Sequence, residues 1–331
     1  MKTIRASIIG FGAVGQGVAK VLLGKSEYLR SIGIDMKVVA IADSRTSVID
    51  PHGVDLASAI SRKKDTGTVG SETVSGTEII RTVDHELVIE TTPTNIETGG
   101  VGLVNMMTAF ERGMDVVTSN KGPLALKYGD VMEAAKKSGS NCRFEATVGG
   151  AMPVINLACD VLAGNRIISM EGIFNGTCNY ILSRMMEEQA PYEQMLAEAQ
   201  ELGIAEKDPS YDVEGIDTAS KLVIVANSIF GMNASYKDVT VTGITRITPE
   251  ALSLANADGF AIKLIGEVND SRINVAPKLV PLSHPLAVGG TLNVFSVQTD
   301  LAGPITITGR GAGSIETASA ILSDIIGIYK I

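Results

Sequence analysis

Apolar residues run along this chain in two rhythms. In its first half, short apolar runs alternate with stretches where apolar positions recur every three or four residues, the signature of strands followed by helices. Ile4 to Ile9 reads as a strand, and QGVAKVLL after it as a helix. MKVVAIADSR (36–45) is a second buried strand, and ELVIETT (86–92) is a third, leading through Pro93 and Thr94 into a helix that runs to Arg112. DVVTSNKGP (115–123) is another strand, turning at Asn120-Lys121-Gly122-Pro123 into the helix LKYGDVMEAAKKSG, and CRFEATVGG (142–150) is a further strand. This alternation predicts a parallel, doubly wound α/β sheet, with ligands beyond the carboxyl ends of its strands.

After GGAMPVI the rhythm changes. IISMEGIFNGTCNYILSRMMEE (167–188) predicts a strand, an Asn-Gly turn and a helix; YEQMLAEAQELG (192–203) predicts a helix closed by Gly203. The segment AEKDPSYDVEGIDTASKL (205–222) then gathers Glu206, Asp208, Asp212, Glu214 and Asp217 ahead of Lys221, at the mouth of an apolar helix. Asp217 and Lys221 stand at i and i+4, so they share one helix face. A solvated charge run and a site that moves a proton both fit that arrangement taken alone.

The glycines of the first turn carry chemistry. Gly10-Phe11-Gly12-Ala13-Val14-Gly15 is GxGxxG with a strand before it and a helix after it. Gly10 suits the tight turn, Gly12 the approach of a pyrophosphate, and Gly15 close helix–sheet packing, while the helix N-terminus offers its N–H groups to phosphate. Asp43 ends the second strand, further beyond Gly15 than the usual ~20 residues, a difference the insertion KSEYLRSIGID explains. Its carboxylate suits a ribose 2′-hydroxyl, whereas Ser44 and Arg45 suit a 2′-phosphate, so NAD and NADP both remain open. Thr92 and Lys121 sit at strand ends, where a dinucleotide would lie.

Composition narrows the function. The chain has 331 residues, 45% hydrophobic and 20% charged, with a net charge of −9. That length suits two domains. An acidic balance without basic-aromatic interleaving argues against nucleic acid. No run reaches the roughly 18 apolar residues of a membrane span, and the glycines of the N-terminal stretch suit a phosphate turn better than an export signal. Three cysteines without CxxC spacing and three scattered histidines predict reduced thiols, no histidine zinc cluster and a cytoplasmic protein.

GIFNGTCNYIL, AQELGIAEKDPSYDVEGIDTASKL, TSNKGP and FEATVGGAMPVI, with the N-terminal GFGAVG, resemble homoserine dehydrogenases over essentially the whole chain. The chain resembles the short form, without an aspartate kinase or an ACT domain. The resemblance implies a Rossmann-type dinucleotide-binding domain over 1–148, completed by 311–331, and an α+β catalytic and dimerisation domain over 149–310. It implies reversible NAD(P)-dependent interconversion of L-homoserine and L-aspartate 4-semialdehyde, on the route to threonine, methionine and isoleucine. By the same resemblance the catalytic lysine falls on Lys221 and the substrate carboxylates on Glu206 and Asp217, with Asp212 in support. Lys121 matches the lysine between cofactor and substrate, and Gly313 is brought close to the dinucleotide. A monovalent cation, usually sodium, is implied on the segment matching Glu145, Val148, Gly150 and Met152, together with a homodimer.

Other readings stand beside this one. The residues alone also allow another Rossmann oxidoreductase acting on a small polyol or aldehyde, or a non-catalytic nucleotide sensor. Cys178, in NGTCNY, is either a thiol nucleophile or a packed small residue.

Overall fold

The computed structural model describes residues 1–330. The chain divides into two compact units, Met1–Ala151 with the chain from Gly313 onward, and Met152–Ala312. The division falls a few residues beyond the limits set from the sequence, and Ile331 lies outside the described residues.

In the first unit, β1 (Lys2–Ile9), β2 (Ile34–Ala42), β3 (Ser47–Ile49), β4 (Leu87–Glu90), β5 (Asp115–Thr118) and β6 (Cys142–Arg143) form one sheet. Its order is β3-β2-β1-β4-β5-β6. Neighbours run parallel except β3, which returns antiparallel beside β2. The strand order therefore reverses direction between β1 and β4, which makes the crevice beyond their carboxyl ends the natural ligand position. The central strands are buried on both faces, so their near-continuous Val/Ile runs, rather than an alternating pattern, are what the sequence displays.

The helix Ser314–Tyr329 belongs to this unit. Ala318, Ile321 and Ile325 are buried in the cluster that holds Ile4, Ile8, Val18, Leu22 and Ile89. Each isoleucine taken from water there contributes about 1.5–3 kcal/mol. Two polar ties fix the ends of the helix: the Ser314 hydroxyl donates to the Ala13 carbonyl at 2.5 Å, and the Tyr329 hydroxyl donates to Asp115 Oδ2 at 2.7 Å.

Two expected elements differ from the structure. The helix expected from Thr94 begins at Gly100. Gly99 and Gly100 both have positive φ, and Asn95 caps its own loop through the N–H groups of Glu97 and Thr98, so residues 93–99 form a loop with a turn at 96–98. The strand expected over 142–150 stops at Arg143, and Glu145–Thr147 winds into a 3-10 turn. There the Glu145 N–H donates to Asp324 Oδ2 of the C-terminal helix at 2.9 Å, a partner a sheet ladder would not supply.

In the second unit, β7 (Ile167–Ile173), β8 (Val239–Val241), β9 (Phe260–Asn269), β10 (Arg272–Pro281), β11 (Leu292–Thr299) and β12 (Pro304–Arg310) form a sheet of order β12-β11-β7-β9-β10-β8. It is antiparallel apart from the β10–β8 pair. The helices Gly176–Glu188, Ile216–Ser228 and Pro249–Ala257 pack against β9. The helix Ile216–Ser228 is buried continuously from Asp217 to Asn227, so its two charged residues near the N-terminal end lie inside the protein rather than on a wet face.

Replacing Tyr329 by Phe removes one hydrogen bond to Asp115 and leaves the ring in place. Chemical denaturation followed by circular dichroism is expected to show a loss of about 1 kcal/mol; an unchanged midpoint would show that the tie contributes nothing.

Candidate active site

The glycine turn of the first unit is built by close approach. Gly10 has φ 98°, and a Cβ there would lie 2.5 Å from the Thr91 carbonyl carbon. A Cβ on Gly15 would lie 2.1 Å from the Gly10 carbonyl oxygen. Neither position tolerates a side chain, so β1, the end of β4 and the following helix are drawn together at the point where the strand order reverses. The Thr91 hydroxyl locks that arrangement by donating to the Gly10 carbonyl at 2.6 Å.

Gly12 behaves differently. It is exposed, a Cβ there would meet nothing within 4 Å, and it stands at the N-cap of the helix Ala13–Gly24 with no side chain capping the helix. Phe11 is buried beneath, whereas Ala13 is exposed and Val14 half-buried. Open space before an uncapped, positively polarised helix end suits a pyrophosphate. Gly313, φ 132°, is at the N-cap of Ser314–Tyr329, and the bond from Ser314 to Ala13 brings it to the same turn.

Asp43 is turned inward. Its Oδ1 accepts the N–H groups of Arg45 at 2.8 Å and Thr46 at 2.7 Å, and its Oδ2 accepts Lys63 Nζ at 2.7 Å and the Val69 N–H at 2.9 Å. Burial by itself would raise its pKa, but these donors outweigh burial and hold the carboxyl down to about 2. With both oxygens engaged by its own loop, the carboxylate has little acceptor capacity left for a ribose hydroxyl. Ser44 and Arg45 are exposed beside it, with Arg45 Nη2 donating to the Gly67 carbonyl at 2.7 Å. Thr92 follows β4, and Lys121, half-buried, opens the helix Lys121–Ser138.

The second unit holds the acidic segment. Lys221 Nζ donates to Asp217 Oδ2 at 2.7 Å and to the Phe174 carbonyl at 2.7 Å. The two residues are 8% and 4% exposed, which decides against a solvated charge run. Burying such ions costs several kcal/mol each unless further hydrogen bonds satisfy them. Asn175 supplies that support, its Nδ2 donating to Asp217 Oδ2 at 3.0 Å and to Asp212 Oδ1 at 2.6 Å. Three of the four residues singled out here from the sequence, Asp212, Asp217 and Lys221, therefore meet. Glu206 is exposed and is not joined to the Lys221–Asp217 pair among the described residues.

Asn175 itself escaped the sequence reading. Asn175-Gly176 looked like a turn, but Asn175 is the N-cap of the helix Gly176–Glu188, its Oδ1 accepting the Cys178 N–H at 2.8 Å. An Asn before a helical stretch is also a cap signal, and that was the signal available. Cys178 is fully buried, and burial, with the nearby Asp212 and Asp217, pushes its thiol well up from the usual range. It is the packed residue of the two readings, since a nucleophilic thiol needs a depressed pKa.

Among the residues expected to hold a cation, Glu145 is 2% exposed, Val148 is buried and Gly150 has φ 61°, all in the first unit; Met152 is buried at the start of the second. Among the described residues, no three His, Cys, Asp or Glu side chains converge as a metal cluster.

Known proteins match both units. The family model described as homoserine dehydrogenase, NAD binding domain, matches residues 10–145, and that described as homoserine dehydrogenase matches residues 153–326. A homoserine dehydrogenase of Methanocaldococcus jannaschii is 54% identical over 328 residues, 98% of each chain. The NAD(+)-dependent homoserine dehydrogenase of Pseudomonas canavaninivorans is 34% identical over 100% of this chain and 97% of its own. The crystal structure of a putative homoserine dehydrogenase from Archaeoglobus fulgidus superposes with a TM-score of 0.94 at 50% identity, covering 99% of this chain and 100% of that one. A hyperthermophilic archaeal homoserine dehydrogenase in complex with NADPH superposes with a TM-score of 0.86 at 28% identity, covering 98% and 97%. With a dinucleotide turn in one unit and a buried lysine–carboxylate pair in the other, the chain belongs to the homoserine dehydrogenase family and is an NAD(P)-dependent oxidoreductase.

Proposed function

We propose that Lys221 is the group that moves the proton when L-homoserine and L-aspartate 4-semialdehyde are interconverted. The observation that carries this reading is the buried Lys221–Asp217 pair, backed by the Phe174 carbonyl and Asn175. In the direction of reduction, the ammonium donates a proton to the aldehyde oxygen. In the direction of oxidation, the neutral amine takes the proton from the C4 hydroxyl. The dinucleotide, when bound, supplies or accepts the hydride. Asp217 orients Nζ, with Asn175 and Asp212 supporting it, and the exposed carboxylate of Glu206 pairs with the substrate ammonium, joined by Asp217 as the substrate enters. Lys121 offers a second positive charge toward the substrate.

We further infer a preference for NADP. The Asp43 carboxylate is engaged by Lys63 and three backbone N–H groups, while Arg45 and Ser44 are exposed next to it. Those two side chains and Lys63 suit the 2′-phosphate. A sodium ion is the further cofactor of this reading, on the segment that carries Glu145, Val148, Gly150 and Met152, with backbone carbonyls among its donors. An oxygen donor set with a single carboxylate suits a hard cation of low charge better than a transition metal. The setting inferred is the family's: a cytoplasmic homodimer on the route to threonine, methionine and isoleucine.

Lys221→Ala is expected to lower turnover by about 10²–10⁴-fold while leaving NADPH affinity unchanged. Steady-state rates and a fluorescence titration of NADPH check this, and a folded variant with wild-type turnover would contradict it. The pH dependence has a definite sign. Oxidation requires the neutral amine, so its rate climbs as pH rises, whereas reduction requires the ammonium and declines at strongly alkaline pH. Initial rates in both directions across the alkaline range test this; parallel profiles would remove Lys221 from the proton transfer. Arg45→Ala is expected to raise the KM for NADP by about tenfold, the effect of one lost charge-assisted contact, with little change for NAD. Equal effects on the two would count against the phosphate assignment.

A further inference from the structure

Glu90 closes β4 and is 0% exposed. Nothing in the reaction described above uses it. A carboxyl group so deeply placed persists only where hydrogen bonds offset its desolvation. Burial raises its pKa above the usual carboxylate range, while donors from Thr92 and Asn105 act in the opposite sense.

Those donors trace a connected path. Glu90 Oε2 accepts Asn105 Nδ2 at 2.7 Å, and Asn105 Oδ1 accepts the Thr77 hydroxyl at 2.6 Å. Glu90 Oε1 accepts the Thr92 N–H at 2.8 Å and also the Thr92 hydroxyl in a short hydrogen bond. Thr92 Oγ1 in turn accepts Asn120 Nδ2 at 3.1 Å. Asn120 is the N-cap of the helix Lys121–Ser138, its Oδ1 accepting the Gly122 N–H at 3.1 Å. A second route reaches the same residue through the backbone. The Asn120 N–H donates to Thr118 Oγ1 at 2.9 Å, and the Thr118 hydroxyl donates to the Glu90 carbonyl at 3.1 Å. Glu90 is thus held from behind by buried Asn105, and it grips the ends of β4 and β5 in front.

We infer that Glu90 is a positioning residue for the reaction: through Thr92 and Asn120 it fixes the ligand-facing ends of β4 and β5 and the first helical turn, on which Lys121 stands. The inference rests on the role proposed above for Lys121 toward the substrate and on the expectation that the dinucleotide lies at the strand end where Thr92 stands. The direction of the bonds supports it. Glu90 Oε1 accepts both the N–H and the hydroxyl of Thr92, so Thr92 keeps one orientation and its Oγ1 is left to accept from Asn120. A network in which each member fixes the next loses its geometry when its central acceptor is removed. Glutamine can replace Glu90 without breaking the path, because Asn105 can flip its amide to accept from the new Nε2 and donate to Thr77.

The test compares Glu90→Ala, Glu90→Gln and Lys121→Ala in the full chain, by thermal melting, NADPH titration, and kcat and KM for homoserine. Folded Glu90→Ala is expected to weaken NADPH binding and to lower kcat, each by about tenfold, the effect of losing buried hydrogen bonds, while Glu90→Gln stays within about threefold on both. Wild-type binding and kcat in folded Glu90→Ala would overturn the inference, and so would Glu90→Gln damaged as badly as Glu90→Ala. If Glu90→Ala does not fold, Thr92→Val keeps the shape and removes only the relaying hydroxyl. A folded Thr92→Val with reduced kcat supports the inference, and one with unchanged kcat overturns it. Lys121→Ala separates the underlying reading. If it retains turnover while Glu90→Ala still weakens NADPH binding, the role of Lys121 falls and that of Glu90 stands; if it is inactive while Glu90→Ala is normal, the reverse holds.

Discussion

An ammonium and a carboxylate 2.7 Å apart inside a protein constrain everything around them, and here they are Lys221 and Asp217. Either ion buried alone would be prohibitively costly. Together they persist because Asn175 donates to Asp217 and the Phe174 carbonyl accepts from Lys221. Phe174 and Asn175 follow directly on β7, and Phe174 is fixed edge-on against Phe295 of β11, with ring centroids 4.4 Å apart. The sheet of the second unit therefore aims the lysine. The burial of residues 217–227 on all sides of this helix serves the same end, since a helix that cannot rotate cannot swing its one ammonium into solvent.

The first unit meets a different demand with the opposite material. Its turn after β1 works by omission: no side chain at Gly10 or Gly15, no cap on the helix that follows, and so N–H groups left for an anion. Where a carboxyl group does occur there, its oxygens are engaged at home. Asp43 is closed off by Lys63 and its own loop, and Glu90 by Thr92 and Asn105. A negative dinucleotide would be repelled by exposed carboxylates at these strand ends; the Lys63 ammonium offsets the charge of Asp43, and Glu90 is buried out of reach.

Much of this was legible in the chain because it depends on short-range spacing. The glycine turn is a strand-to-helix motif within six positions, and the Asp217–Lys221 pair follows from one turn of helix. What was not legible depends on partners distant in sequence. Glu90 reads as the polar end of a strand, and nothing near it announces Asn105 or Asn120 as partners. Asp43 looked available for a ribose because Lys63 and Val69, which occupy it, come much later in the chain. Local information is ambiguous at Asn175, since Asn-Gly signals both a turn and a cap and only the longer apolar periodicity beyond it decides for the cap. Residues 142–150 lost their expected strand to Asp324, a residue near the far end of the chain.

In the proposed reaction a single amine at position 221 transfers the proton. Chemical rescue tests it most directly, by measuring homoserine oxidation by the Lys221→Ala variant in the presence of primary amines of graded basicity. Small amines are expected to restore part of the turnover, and the more basic ones to restore more at saturating neutral amine, as a general base should. A folded variant that binds the dinucleotide and responds to no amine, or one that turns over at the wild-type rate without any, would contradict it.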